Sequence, residues 1–288
     1  MKVEVKIINA FSVQGQGGNP AGVVFGADSL SSAQKQAIAA KLGFPETAFV
    51  SESDKAAFKL DFFTPIKQIA HCGHATIATF TYLKKTGKVT AAQSSKETID
   101  GNRTILYKDS YAFMEQKAPT FLIPQEEPSL ILQSLGLTST DLKEGLLPTI
   151  VNTGNAFLIV PVKNEAILAN LQPQMEQIAE ISAPYNLIGF YVYAPAENKT
   201  LQATTRMFGP YYGIEEEAAT GMAAGPLACF LYEKENVHQT QFLIEQGRFM
   251  KAPSPSLLHV HLDIADGQIR KLYAGGDAYV SIEGNLEI

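Results

Sequence analysis

Three positions in this sequence combine a reactive side chain with surroundings that would tune it. Glu46 stands between Gly43-Phe-Pro and Thr47-Ala-Phe-Val, and His74 sits in Cys72-Gly-His-Ala-Thr. Glu217 ends the run Glu215-Glu-Glu, just before Ala218-Ala-Thr-Gly. A carboxylate among apolar neighbours is partly desolvated, which raises its proton affinity toward neutrality and suits general acid/base work. Glu46 is therefore a candidate proton-transfer group, although most glutamates at strand ends are merely solvated and that plainer reading is the commoner one. The carboxylates at 215–217 would favour a nearby helix N-terminus electrostatically, and at least one is expected to serve only as a cap.

Other chemistry finds less support. His71 reads as a loop or core residue, and His238 as an exposed loop residue. His259 and His261 share one strand face, but no third ligand accompanies them at a helpful spacing, so a solvated face is expected. The two cysteines, Cys72 and Cys229, cannot build a disulfide framework, and neither has a CxxC partner. No metal site is expected. No P-loop, dinucleotide-binding fingerprint or Gly-x-Ser-x-Gly elbow occurs. Nucleotide cofactors and serine hydrolysis lose their support, and the expected chemistry uses no cofactor.

The elements that must position these residues follow from pattern. Val3–Ile8 alternates as a strand, and a glycine-rich loop leads through Gly18-Asn19 to a second strand at Gly22–Phe25. Ser31 with Gln34 makes a capping-box start for a helix running to about Leu42. Strands are expected at Glu46–Val50 and Phe58–Phe63. Gly73 opens a helix that is apolar nearly all round and therefore buried; Lys84, Lys85 and Gly87 close it.

The second half repeats this grammar. Gly154-Asn155 precedes an apolar strand 136 residues after Gly18-Asn19, and Gly221 opens another apolar helix 148 residues after Gly73. Two landmarks at similar offsets suggest duplication, against the alternative of one α+β domain with coincidental glycines. Short helices are expected at about 165–171 and 173–182, and strands at 189–193, 241–244, 258–262, 271–274 and 278–282. The proline-bearing stretch from Lys117 to Ser129 places the boundary near Ala118. The expected units are 1–118 and 119–288, with the last strand free to return to the first half. Strands dominate without strict alternation, so the fold class is α+β.

Both helix starts present unpaired N–H groups, able to bind a carboxylate without a basic side chain. The plainer reading of their glycines is close packing. The chain has 288 residues, 45% apolar and 18% charged, with a net charge of -6 and no basic cluster. A nucleic-acid or anionic-membrane partner is not expected. No apolar run is long enough to span a bilayer, and the N-terminus reads as a strand rather than a signal peptide, so a cytoplasmic location is expected.

Taken together the landmarks resemble the PhzF family of phenazine-biosynthesis-like isomerases, itself similar in fold to diaminopimelate epimerase. The resemblance rests on Asn9-Ala-Phe, Gly18-Asn-Pro-Ala-Gly-Val-Val, Pro45-Glu-Thr-Ala-Phe-Val, Phe63-Thr-Pro and Cys72-Gly-His-Ala-Thr. It continues through Arg206-Met-Phe-Gly-Pro, Gly213-Ile-Glu-Glu-Glu-Ala-Ala-Thr-Gly-Met-Ala, Glu245-Gln-Gly and Gly275-Gly-Asp-Ala. It implies two similar domains, each a mainly antiparallel sheet wrapped around a central buried helix, and a homodimer. It further implies a cofactor-independent isomerase acting on a small carboxylate-bearing metabolite.

Residue by residue, Glu46 matches the family's acid/base and His74 its polar helper, and the resemblance implies that His74 and Glu217 position the substrate's polar groups and tune the proton relay. Asn19, Gly73, Gly221 and Met222 fall at substrate-binding positions. The sequence departs from the pattern at Glu217, where aspartate is usual, at Met222, where serine is usual, and at Ala218, where proline is common. Glutamate reaches about 1.5 Å farther than aspartate, and methionine donates no hydrogen bond. These changes tell against the phenazine precursor dihydrohydroxyanthranilate as substrate. Two rivals stay open: a racemase or epimerase using Cys72, and a binding protein that kept the fold without the chemistry. Cys72 matches the first thiol of a diaminopimelate-type epimerase, but Glu217-Ala-Ala-Thr-Gly holds no second one, and Cys229 reads as core.

Overall fold

Alternating Val3, Val5 and Ile7 are buried while Lys2 and Glu4 face outward, which makes a strand of the first residues. In the computed structural model, which describes residues 2–288, contacts divide the chain into two compact units. One comprises Met1–Glu115 with Gly275–Ile288, the other Gln116–Ala274. The class is α+β, with strands forming most of each unit.

The first unit contains β1 (Lys2–Ala10), β2 (Asn19–Phe25), α1 (Ser32–Leu42), β3 (Thr47–Ser51) and β4 (Phe58–Phe63). It continues through β5 (Gln68–Ile69), α2 (Gly73–Lys85), β6 (Gln93–Thr98), β7 (Gly101–Lys108) and β8 (Tyr111–Lys117). The expected capping box forms at α1: Ser31 Oγ accepts from Gln34 N, and Gln34 Oε1 accepts from Ser31 N. β1 runs antiparallel to β2, β2 parallel to β3, and β3 antiparallel to β4. β4 is parallel to β6, and β6 antiparallel to β7. Val5, Ile7, Ile38, Phe49 and Phe63 pack one core between this sheet and α1.

The second unit opens with β9 (Thr120–Leu122), α3 (Pro128–Gln133), β10 (Thr149–Asn152) and β11 (Ala156–Pro161). It continues with α4 (Glu165–Ala169), α5 (Met175–Ser182), β12 (Gly189–Pro195), β13 (Ala203–Gly209) and β14 (Ile214–Glu217). Then come α6 (Gly221–Lys234), β15 (Gln241–Gln246), β16 (Ser256–Ala265) and β17 (Gln268–Gly276). The pairings repeat those of the first unit. β10 is antiparallel to β11, β11 parallel to β12, β12 antiparallel to β13, β13 parallel to β15, and β15 antiparallel to β16. A helix enters at the corresponding step each time: α2 lies between the paired strands β4 and β6, and α6 between β13 and β15. The repeated landmarks are therefore a repeated topology.

The two buried helices differ in how they tolerate burial. α2 is buried from His74 to Thr81, and two of its threonines bond locally, Thr76 Oγ1 to Cys72 O and Thr79 Oγ1 to Ala75 O, while Thr81 Oγ1 donates to Gly276 O. α6 is buried from Ala223 to Leu231 and is almost free of polar side chains there. A Cβ at Gly225 would come within 2.6 Å of Leu272 Cδ1, so that glycine lets α6 approach β17.

One strand completes the first unit from far along the chain. β18 (Ala278–Glu287) runs antiparallel to β1, pairing Lys2 with Glu287 and Ala10 with Ala278. In the second unit β9 holds the matching place beside β10.

Candidate active site

Glu46 is held at the point where β3 enters the core. Gly22 N of β2 donates to the Glu46 carbonyl at 3.0 Å, and every residue from Thr47 to Ser51 is buried. The β1–β2 connection is set by Gly18, whose φ is +83° and whose missing Cβ would stand 2.6 Å from Ala10 O. Only glycine adopts that backbone without strain. β2 then begins at buried Asn19, opposite Ala10.

His74 is brought to Glu46 by the start of α2. Cys72 occupies the N-cap position without a side-chain cap, Gly73 is the first helical residue and His74 the second. His74 Nε2 lies 3.3 Å from Glu46 Oε2, with the two side chains only 5% and 19% exposed. Behind the ring, Cys72 Sγ is 3.6 Å from His74 Nδ1. Burial pushes the Cys72 thiol up; the neighbouring Glu46 adds to this and His74 opposes it. The sulfur therefore stays protonated near neutrality, which makes it a poor proton acceptor.

Glu46, Cys72 and His74 offer ligand-type atoms within 4.8 Å of one another. A cation there would require the thiol to ionise against the burial that holds its proton. The arrangement suits proton transfer between oxygen, nitrogen and carbon better than it suits metal binding.

A second polar layer lies beneath this cluster. Lys96 of β6 is fully buried, with Nζ 2.6 Å from Thr76 Oγ1 and 3.1 Å from His71 Nδ1. Burial lowers the Lys96 ammonium to about 7. Burial, with Lys96 and Arg103 nearby, lowers His71 to about 3, so its ring is neutral. Nothing in the polar-looking stretch Gln93-Ser-Ser-Lys-Glu-Thr signals a buried lysine, because the burial is decided by pairing with β4 and β7.

In the second unit the three glutamates part company. All of them lie on β14, and the N-cap position of α6 is Thr220, so the expected capping by this run is replaced by strand pairing. Glu215 is exposed, while Glu216 receives both Nε and Nη2 of Arg206 at 2.8 and 3.0 Å. Glu217 Oε2 accepts from Thr220 Oγ1 at 2.5 Å. Buried Gln246 organises this turn: its amide nitrogen donates to Glu217 O at 2.7 Å, and its oxygen accepts from Thr220 N at 3.1 Å and Tyr191 OH at 3.0 Å. At the start of α6, Gly221 O accepts from Gln116 Nε2 at 3.0 Å, and Met222 Sδ lies 3.2 Å from Asn155 Nδ2.

The structure thus joins Glu46, Gly73 and His74 in the first unit, with Cys72 as a third side chain. It places Glu217, Gly221 and Met222 along the β14–α6 turn of the second. The remaining histidines fall as expected, His259 and His261 half-exposed on one face of β16 and His238 exposed. Lys96, His71 and Gln246 escaped assignment from sequence as supports of these clusters. Only Gln246 carried a signal, through its Glu-Gln-Gly neighbourhood.

Comparison with known proteins covers almost the whole chain. The phenazine biosynthesis-like protein family (PhzC-PhzF) matches residues 8–284. The chain is 33% identical to the uncharacterized isomerase YddE of Escherichia coli (strain K12), over 97% of each. It is 28% identical to the trans-2,3-dihydro-3-hydroxyanthranilate isomerase of Pseudomonas chlororaphis, over 97% of this chain and 98% of that one. In structure it is similar to a phenazine biosynthesis protein of the PhzF family from Bacillus anthracis, with a TM-score of 0.88, 28% identity and full coverage of both chains.

Proposed function

Because the chain belongs to the phenazine biosynthesis-like family, we propose that it is an isomerase that moves a proton within a small carboxylate-bearing metabolite, without a cofactor. The observation that carries this reading is the Glu46–His74 pair, 3.3 Å apart and largely withdrawn from water. Glu46 takes a proton from a carbon next to an activating group and returns it at another carbon. The net change is a shift of one hydrogen and one double bond, so no oxidant or reductant is consumed. His74 bears on the carboxylate and steadies its charge as the proton comes and goes. The backbone N–H groups at the start of α2 hold the substrate carboxylate.

Glu217, Gly221, Met222 and Asn19 enter this reading through the family resemblance. Met222 supports a change of substrate. Where the family's usual serine would donate a hydrogen bond, a thioether stands beside an amide donor, Asn155 Nδ2. Trans-2,3-dihydro-3-hydroxyanthranilate is accordingly expected to be turned over poorly, and a cyclic amino or hydroxy acid with a different ring substituent turned over better. The protonated state of Cys72 favours the carboxylate over the thiol as the working base.

The test is deuterium incorporation in heavy water into a panel of small cyclic carboxylates, dihydrohydroxyanthranilate included. Wild type is expected to exchange at least one of them, and Glu46→Gln none above background. Equal rates for the two proteins across the panel would remove Glu46 from the mechanism. Ligand binding without any exchange would leave a binding protein.

A further inference from the structure

We propose that Lys96 is a positioning residue for the Glu46–His74 pair, because it ties together the two sides of the turn that carries Cys72, Gly73 and His74. The argument begins with its contacts. Lys96 Nζ reaches Thr76 Oγ1 in the first turn of α2 at 2.6 Å, and His71 Nδ1, just before the turn, at 3.1 Å. Thr76 Oγ1 in turn donates to the Cys72 carbonyl at 2.6 Å. The amine therefore bridges His71 and Thr76, and Thr76 passes the restraint to Cys72, two residues before His74. A chain of hydrogen bonds in a water-poor interior resists distortion more strongly than the same groups would in water.

The surroundings fit this role. Lys96 is fully buried, lies 5.1 Å over the Phe62 ring of β4, and is paired across the sheet with Arg103 of β7. Burial and Arg103 disfavour its charge, while Asp100 favours it, and the balance leaves its proton affinity near neutrality. Two side-chain acceptors match the two N–H bonds of a neutral amine, so the bridge survives loss of the proton. A neutral His71 can accept at Nδ1. Without the amine, Thr76 Oγ1 would keep its bond to Cys72 O and the His71 ring its edge contact with Phe62, but the link between the two through Nζ would be lost. The His74 ring, which begins two residues past Cys72, would then lose a restraint on its approach to Glu46. Lys96 touches neither Glu46 nor His74, and its effect passes through the turn.

The inference rests on Glu46 and His74 being the working pair, but it can be tested without turnover. Ring resonances of His71 and His74 are followed by NMR in protein carrying ¹³C,¹⁵N-histidine, assigned by single histidine substitutions. Lys96→Met and Thr76→Val are each expected to move the His74 ring resonances and weaken their response to Glu46→Gln. Thr76→Ser, which keeps the hydroxyl, is expected to restore the wild-type positions. Should Lys96→Met fail to fold, the Thr76 pair carries the test alone. His74 resonances unmoved in Thr76→Val, or moved equally in Thr76→Ser, would overturn the role. Failure of Glu46→Gln to lower deuterium exchange would overturn the isomerase reading instead, and leaves the NMR comparison standing.

Discussion

The His74 imidazole meets the Glu46 carboxylate through Nε2 and Oε2 at 3.3 Å, while its other nitrogen faces the Cys72 sulfur at 3.6 Å. The sulfur also lies 4.0 Å from Nε2, so one ring touches both a carboxylate and a buried thiol, and the two neighbours have different tasks. If the ring serves to steady the carboxylate, His74→Gln should lower deuterium exchange by roughly 10–10²-fold, less than Glu46→Gln does. The measurement is the initial exchange rate on the best substrate of the panel. An unchanged rate would reduce His74 to a packing residue.

Cys72 offers the complementary experiment. Burial raises its thiol, so it enters neither proton step in the proposed reaction. Cys72→Ala should keep exchange within about threefold of wild type, far short of the 10²-fold or greater loss typical of a missing acid/base group. A loss of that larger size would favour thiol-based epimerisation and would call for a search for its second base.

His71 makes stability depend on pH. Its proton affinity is lowered to about 3 in the folded protein, by burial first and then by Lys96 and Arg103. Between about pH 3 and 6.5 the unfolded chain holds a proton at this site that the folded chain does not, so stability falls as pH falls through that window. The expected slope is about 1 kcal/mol per pH unit in its middle. Denaturant midpoints at pH 4.5 to 7 measure it, and His71→Gln should flatten the dependence. Identical slopes in the two proteins would place the proton elsewhere.

Gln246 joins Glu217, Thr220 and Tyr191 in the second unit. Gln246→Leu keeps much of the volume but removes the partner of the Thr220 N–H and the Glu217 carbonyl, while the Tyr191 hydroxyl keeps only Thr205 Oγ1. With roughly 1–3 kcal/mol for each buried polar group left unsatisfied, and some relaxation, a loss of about 3 kcal/mol is expected. Urea unfolding gives the number, and a loss under about 0.5 kcal/mol would mean that the network is dispensable.

Gly18→Ala tests the β1–β2 connection. The new Cβ would stand 2.6 Å from Ala10 O at a φ of +83°, so about 1–3 kcal/mol of strain is expected. Comparison with Gly15→Ala, where nothing lies within 4 Å of the added carbon, separates the clash from the backbone preference alone.

Much of this fold was legible because local rules and global placement agree. The Ser31–Gln34 capping box, the glycine starts of α2 and α6 and the alternation in β1 all carry signals that a few neighbouring residues determine. Glu46 and His74 were legible as individuals, from their apolar flanks and their motif. The contact between them was not, since it depends on β3 running beside β2 and on α2 starting next to Glu46. Lys96 shows the limit most clearly. Its neighbours in sequence are serines, a glutamate and a threonine, and only the pairing of β6 with β4 and β7 takes its side chain out of water. Glu215–Glu217 misled in the opposite direction, because a run of carboxylates before a helix suits a cap and a strand equally well until the register of β13 with β14 is known.

The return of β18 to β1 also has a consequence for how the chain is made. Residues 116–274 form a continuous stretch, so that unit has all its strands once β17 has left the ribosome at residue 276. The other unit begins earlier but lacks the strand beside β1 until residues 278–287 have emerged. During synthesis β1 therefore waits with one edge open, and it carries the core residues Val3, Val5 and Ile7. An open edge of this kind invites pairing with another chain. The unit translated first is thus the one completed last, and between the two events the outer edge of β1 lacks its native partner.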